Sequence, residues 1–137
     1  MAEVKRLRAA RPDKPYQALF GVLQGANYED LRKQTAEFLG AMDFDGYGIG
    51  GALEKETMAQ TIQWVNQILP ENKPRHLLGI SEPDDIFAAI EQGVDTFDCV
   101  SPTRVARNGA AYTPFGRVAS RWLERCYQST TSDLSLS

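Results

Sequence analysis

The sequence predicts an α/β fold: a partial (β/α)8 barrel of about four parallel strands alternating with helices. Three observations lead there. Short apolar runs alternate with stretches of helical periodicity at the spacing of βα units, which calls for a parallel sheet with right-handed crossovers. Each apolar run closes on glycine or a polar residue, so the unusual residues gather at the strands' carboxyl ends. The count stops at four strands, leaving two open edges that a complete sheet would cover, as half of an eight-stranded barrel would.

In order along the chain, Gln17 to Leu23 reads as a buried strand ending at Gln24-Gly25. Asn27 is placed to cap the next helix with Asp30 three residues on, and Leu31, Phe38, Leu39 and Met42 fall on one face of it. Gly46 to Gly50 is the second strand. Met58, Ile62, Val65, Ile68 and Leu69 mark the second helix, closed by Pro70. Arg75 to Ile80 forms the third strand. Ser81 is a plausible cap, with Pro83 in the first turn of a short helix carrying Ile86, Phe87 and Ile90, and Gly93 ends it. The fourth strand, Val94 to Val100, leads into Asp98. Pro102 stops strand pairing, and an irregular loop with Arg104 and Arg107 runs to the Asn108-Gly109 turn.

At 137 residues the chain is one domain's worth, and 42% hydrophobic with 24% charged residues describes a globular protein. No apolar run reaches the roughly 20 residues that span a membrane, and the basic segment 1–15 lacks the apolar core of a signal peptide. The two cysteines, Cys99 and Cys126, have no metal-ligand spacing, which favours a reducing, cytoplasmic setting. Net charge is -3, unevenly spread: from Ser101 onward five arginines face two acids, leaving an acidic body with a basic end. That pattern suits an anionic partner as well as it suits ordinary surface arginine.

The chemistry concentrates at the strand ends. Asp98 is an acid at the end of an apolar strand, a costly placement unless it is hydrogen-bonded or used; it reads equally as a catalytic acid or as a loop cap. Gln24 offers both a donor and an acceptor, which suits the edge of a base. Gly50, Gly51 and Gly79 would let a flat ligand approach the backbone. His76, early in its strand, is expected at the opposite end and structural, and Trp64 is expected to pack.

FGVLQG, DFDGYGIGG, KPRHLLGI, the Glu82-Pro83-Asp84-Asp85 turn and FDCVSPTRVARNG together resemble the tRNA-guanine transglycosylases, or queuine tRNA-ribosyltransferases, from about Tyr16 to Arg117. The resemblance is to the carboxyl-terminal half of that family's catalytic barrel. It implies exchange of the guanine at the anticodon wobble position for queuine or a related 7-deazaguanine. Asp98 matches the nucleophile. Gln24, Gly50, Gly51, Leu78 and Gly79 match residues around the base. Two segments match those that hold the anticodon loop of tRNA: Gly79, Ile80, Ser81, Glu82, Pro83, Asp84 and Asp85, and then Thr103, Arg104, Val105, Ala106 and Arg107. After Gly51 the loop is shorter than in bacterial members, and Glu82 stands where some carry lysine. The family's zinc module would follow Arg117; residues 118–137 hold only Cys126 and a Ser/Thr-rich end that reads as partly disordered, so no metal or other cofactor is expected in this chain.

The chain therefore divides into a basic lead-in (1–15), a half-barrel catalytic region (16–117) and a divergent tail (118–137). Expected partners are the tRNA anticodon loop, the free base, and either the missing barrel half or a second copy of the chain. No membrane partner is expected, and the chain on its own is expected to be inactive. Two other readings compete: a non-catalytic homologue that binds tRNA or a partner subunit, and a small α/β nucleotide- or phosphate-binding module. Against the latter, there is no dinucleotide fingerprint or P-loop.

Overall fold

The computed structural model describes residues 1–51, 53–80, 82–119 and 121. The expected Ser81 cap and most of the tail lie outside the described residues. The chain forms two compact units, Met1–Asp98 and Cys99 onward.

The first unit opens with helix α1 (Ala2–Ala9), followed by β1 (Phe20–Leu23), α2 (Glu29–Gly40), β2 (Gly46–Ile49), α3 (Lys55–Asn66), β3 (Arg75–Leu77), α4 (Pro83–Glu91) and β4 (Thr96–Phe97). The strands lie in the order β1-β2-β3-β4, every neighbouring pair parallel. This is the four-stranded alternation with helices that the sequence predicts, consistent with part of a (β/α)8 barrel. The strands are shorter than expected, and β1 starts at Phe20 rather than Gln17.

Side chains alternate across a strand, so each strand feeds two faces. One face packs under the helices. Leu23, Tyr47, Ile49 and Leu77 are at most 1% exposed there, beside Ala36 of α2, Ile62 and Val65 of α3 and Ala89 of α4. Fully burying a large aliphatic side chain contributes roughly 1.5–3 kcal/mol, so this layer carries the unit's stability. On the other face Phe20, Val22 and Leu78 are 36–47% exposed.

Three local expectations are corrected. Helix α2 starts from Tyr28, with no side-chain cap at Asn27. Its buried residues are Arg32 and Ala36, while Leu31 and Phe38 are exposed. The capping box sits at α4, where Asp85 accepts from the backbone N–H of Glu82 (3.3 Å). Likewise Phe87 and Ile90 of α4 face outward, with Asp85 and Ala89 buried.

At the amino ends of the strands, Asp45 ties α1 and the start of β1 to the sheet. It accepts from the Tyr16 hydroxyl, the Leu19 N–H (2.7 Å) and Arg8 Nη2 (2.7 Å). These donors, Tyr16 first, hold its carboxyl well below the usual carboxylate range.

The second unit, over its described residues, is helix α5 (Ser101–Arg107) followed by the antiparallel hairpin β5 (Ala110–Thr113) and β6 (Gly116–Ala119). The segment expected as an irregular loop is thus a helix. Pro102 lies in its first turn, where the missing N–H costs nothing.

Candidate functional site

Register brings the predicted residues into line. Val22 pairs with Gly48, Gly48 with His76 and His76 with Thr96, one row straight across the sheet. Two residues further along each strand, on the same face, the next row is Gln24, Gly50, Leu78 and Asp98. The parallel ladder runs up to this row, with Gly50 N–H donating to Leu23 O (3.0 Å) and Leu78 N–H to Ile49 O (3.0 Å). The row lies on the open face at the carboxyl ends, where barrel enzymes carry their sites.

In the middle of the row Gly50 is buried, and its missing β-carbon makes room for the side chains on either side. A β-carbon on Gly50 would stand 3.0 Å from Gln24 Nε2, 3.1 Å from Leu78 Cδ1 and 3.2 Å from Val22 Cγ1. With only hydrogen there, the side chains of β1 and β3 close over β2 and the amide of Gln24 reaches across it. Gly51 (φ +91°) continues the pattern, its absent β-carbon bordering Gln24 Oε1 and Arg32 Nη2.

Asp98 ends the row. Its Oδ1 lies 3.2 Å from the Gly79 N–H and 3.2 Å from His76 Nε2. Gly79, at φ +74°, turns its amide toward the carboxylate, with nothing within 4 Å of its β-carbon position. His76 Nδ1 is 2.9 Å from Thr96 Oγ1. An ionised carboxylate only accepts, so Nε2 donates to Asp98, and in the neutral ring Nδ1 then accepts from the Thr96 hydroxyl. The chain Thr96–His76–Asp98 fixes the carboxylate's orientation while its side chain stays 51% exposed. Among the described residues both contacts fall on Oδ1.

His76 is thus neither at the far end nor merely structural in position. The available signal was parity: two residues before Leu78 in one strand puts it on Leu78's face. Arg32 was also missed. On α2, it is wholly buried.

The other predicted residues are placed as follows. Ile80 is buried, and Glu82, Pro83 and Asp84 are exposed around the start of α4. Asp85 is occupied within the fold, with Oδ2 on the Glu82 N–H and Oδ1 3.2 Å from Lys55 Nζ. In the second unit Thr103, Arg104, Ala106 and Arg107 lie on exposed positions of α5, and Val105 is its buried residue. The described part of that unit carries four arginines and no acid. Among the described residues no group of three or more His, Cys, Asp or Glu converges to hold a metal ion.

Parallel βα units with an oriented carboxylate and a glycine-containing row at their carboxyl ends define a barrel-type module carrying polar groups on its open face. Comparison with known proteins makes the assignment specific. A family model described as Queuine tRNA-ribosyltransferase matches residues 1–134, and the chain belongs to that family. Among its relatives, the Queuine tRNA-ribosyltransferase of Pediococcus pentosaceus is 50% identical over 105 residues, 74% of this chain and 28% of the relative. That of Thermoanaerobacter sp. is 47% identical over 120 residues, covering 85% and 32%. That of Streptococcus pneumoniae is 51% identical over 105 residues, covering 74% and 28%. The chain thus spans about a third or less of the length of these relatives.

Proposed function

We propose that this chain supplies the nucleophile-bearing part of a tRNA-guanine transglycosylase. In this reading it exchanges guanine at the anticodon wobble position for queuine or a related 7-deazaguanine. The observation that carries the proposal is the single row Gln24–Gly50–Leu78–Asp98, with Asp98 oriented by Gly79 N–H and His76.

The arrangement supports the following chemistry. Loss of a base from ribose builds positive charge at the anomeric carbon, and a carboxylate on the opposite side of the ring captures it. With Oδ1 held, Oδ2 of Asp98 is the oxygen that bonds to the carbon as the C–N bond to guanine breaks and its electron pair leaves with the base. An incoming base then attacks the same carbon, its ring nitrogen losing a proton, and the carboxylate departs. Two inversions give net retention, and a covalent intermediate splits one hard displacement into two easier ones. Gln24 and the amides beside Gly50 and Gly51 meet the edge of the base, and Leu78 lies under its plane. The base must leave its stack to be reached, and exposed Arg104 and Arg107 are suited to phosphates of the RNA backbone. The reaction takes place in the cytoplasm, where tRNA is the partner, and the rest of the barrel comes from sequence equivalent to the remainder of the relatives.

The test is incorporation of labelled guanine into tRNA, by the chain alone and by the chain combined with the remaining length of a relative's barrel. Only the combination exchanges. Asp98→Asn abolishes turnover with tRNA affinity nearly intact, whereas Arg104→Ala and Arg107→Ala weaken binding. Each arginine removed also lowers the salt dependence of binding, by a slope of about 0.7 for every single-strand phosphate it neutralised. Exchange by the isolated chain, or full turnover in Asp98→Asn, contradicts the proposal.

A further inference from the structure

Arg32 has an unusual environment. It is 0% exposed, and among the described residues none of its side-chain hydrogen-bond partners is a carboxylate. Nε donates to Ala26 O (2.7 Å), in the turn after β1, and Nη1 donates to Gly50 O (2.6 Å), at the end of β2. Among the described residues, Nη2 is buried with no hydrogen-bond partner. A buried polar group left unpaired is costly, and a donor on a cation more so.

The space beside Nη2 suggests what that donor is for. The β-carbon position of Gly51 lies 3.0 Å from Nη2 and 3.1 Å from Gln24 Oε1, so both atoms border the same small volume. The nitrogen end of that amide, Nε2, lies instead beside Gly50, 3.0 Å from its β-carbon position, on the open face of the sheet. A guanidinium only donates, and its charge attracts the oxygen end of an amide dipole and repels the N–H end. Burial lowers the affinity of Arg32 for its proton, but an arginine side chain stays charged in a protein.

We propose that Arg32 is a positioning residue for the Gln24 corner: its buried charge keeps the Gln24 amide with Oε1 turned inward and Nε2 turned toward Gly50. The corner then offers the ligand donors only, and it selects a base whose facing edge presents a carbonyl oxygen or ring nitrogen. The orientation of Gln24 stands on geometry alone; the selection of a base rests on the transglycosylase reading. Gly51 belongs to the same device, because any β-carbon there would fill the volume that the guanidinium and the amide share.

Two measurements on the labelled chain test the orientation without any ligand. Nuclear Overhauser effects from the Gln24 side-chain NH2 to the Gly50 α-protons are expected in the wild type, retained in Arg32→Lys and absent in Arg32→Met. Their persistence in a folded Arg32→Met variant overturns the proposal. Gln24→Glu, which keeps Arg32, places a carboxylate next to the unpartnered donor and is expected to raise the melting temperature by several degrees; an unchanged or lowered value overturns it even if Arg32→Met does not fold. In the combined enzyme, the wild type is expected to favour guanine over 2,6-diaminopurine, whose amino group replaces the carbonyl, and Arg32→Met to lose about tenfold of that preference. If the orientation results hold but the combined wild-type enzyme binds neither base, the transglycosylase reading fails and, with it, the selection of a base, while the hold on Gln24 stands. If the Overhauser effects persist in folded Arg32→Met, the Arg32 inference fails whatever bases bind.

Discussion

Two aspartates mark opposite ends of the same parallel sheet, and they are held in opposite ways. Asp45, just before β2, is enclosed by the Tyr16 hydroxyl, the Leu19 amide and the Arg8 guanidinium, all of which favour its charged form. Asp98, just after β4, has contacts on one oxygen and keeps half its side chain exposed. The first carboxylate ties the chain's lead-in to the sheet; the second is oriented and left open. The two faces repeat the contrast. Leu77 is sealed under the helices, whereas its neighbour Leu78 lies on the open face against Gly48 and Gly50. In this unit the sealed core and the candidate site are separated by a single step along a strand.

The neighbouring leucines give the largest expected effect. Leu77→Ala removes a fully buried side chain and is expected to cost about 2–5 kcal/mol in a urea titration. Leu78→Ala is expected to cost less than about 1 kcal/mol, while weakening base binding in the combined enzyme. Equal destabilisation by the two would mean that the open face is as much core as the covered one.

A smaller effect is expected at the amino end. The folded-state pKa of Asp45 is depressed, so the group contributes stability that is fully present above its unfolded value, about 4, and is lost as pH falls through the folded value. Thermal melts from about pH 7 to about pH 3 should therefore show a steeper acid loss for the wild type than for Asp45→Asn. Parallel curves would remove Asp45 from the clamp.

The strand-helix alternation was legible because apolar runs and glycine or proline stops leave strong local signals. The row Gln24–Gly50–Leu78–Asp98 was half legible: each member closes a strand, but their alignment depends on register, which only pairing reveals. His76 was misplaced because it was located by distance from the strand's start, when parity with Leu78 decides its face. Arg32 was invisible for another reason. Its burial is made tolerable by carbonyl oxygens of two turns distant in sequence, and no helical pattern announces them. Helix α5 reads from the sequence as a loop because Pro102 stops strand pairing, yet proline in a first turn begins a helix equally well.

The most direct test of the account is where the covalent adduct forms. The chain, combined with a separate polypeptide carrying the rest of a relative's barrel, is incubated with tRNA, and the products are run on a denaturing gel. The account predicts that tRNA is attached to the 15.2 kDa chain and that Asp98→Asn abolishes the band. An adduct on the other polypeptide, or one that persists in Asp98→Asn, would contradict it.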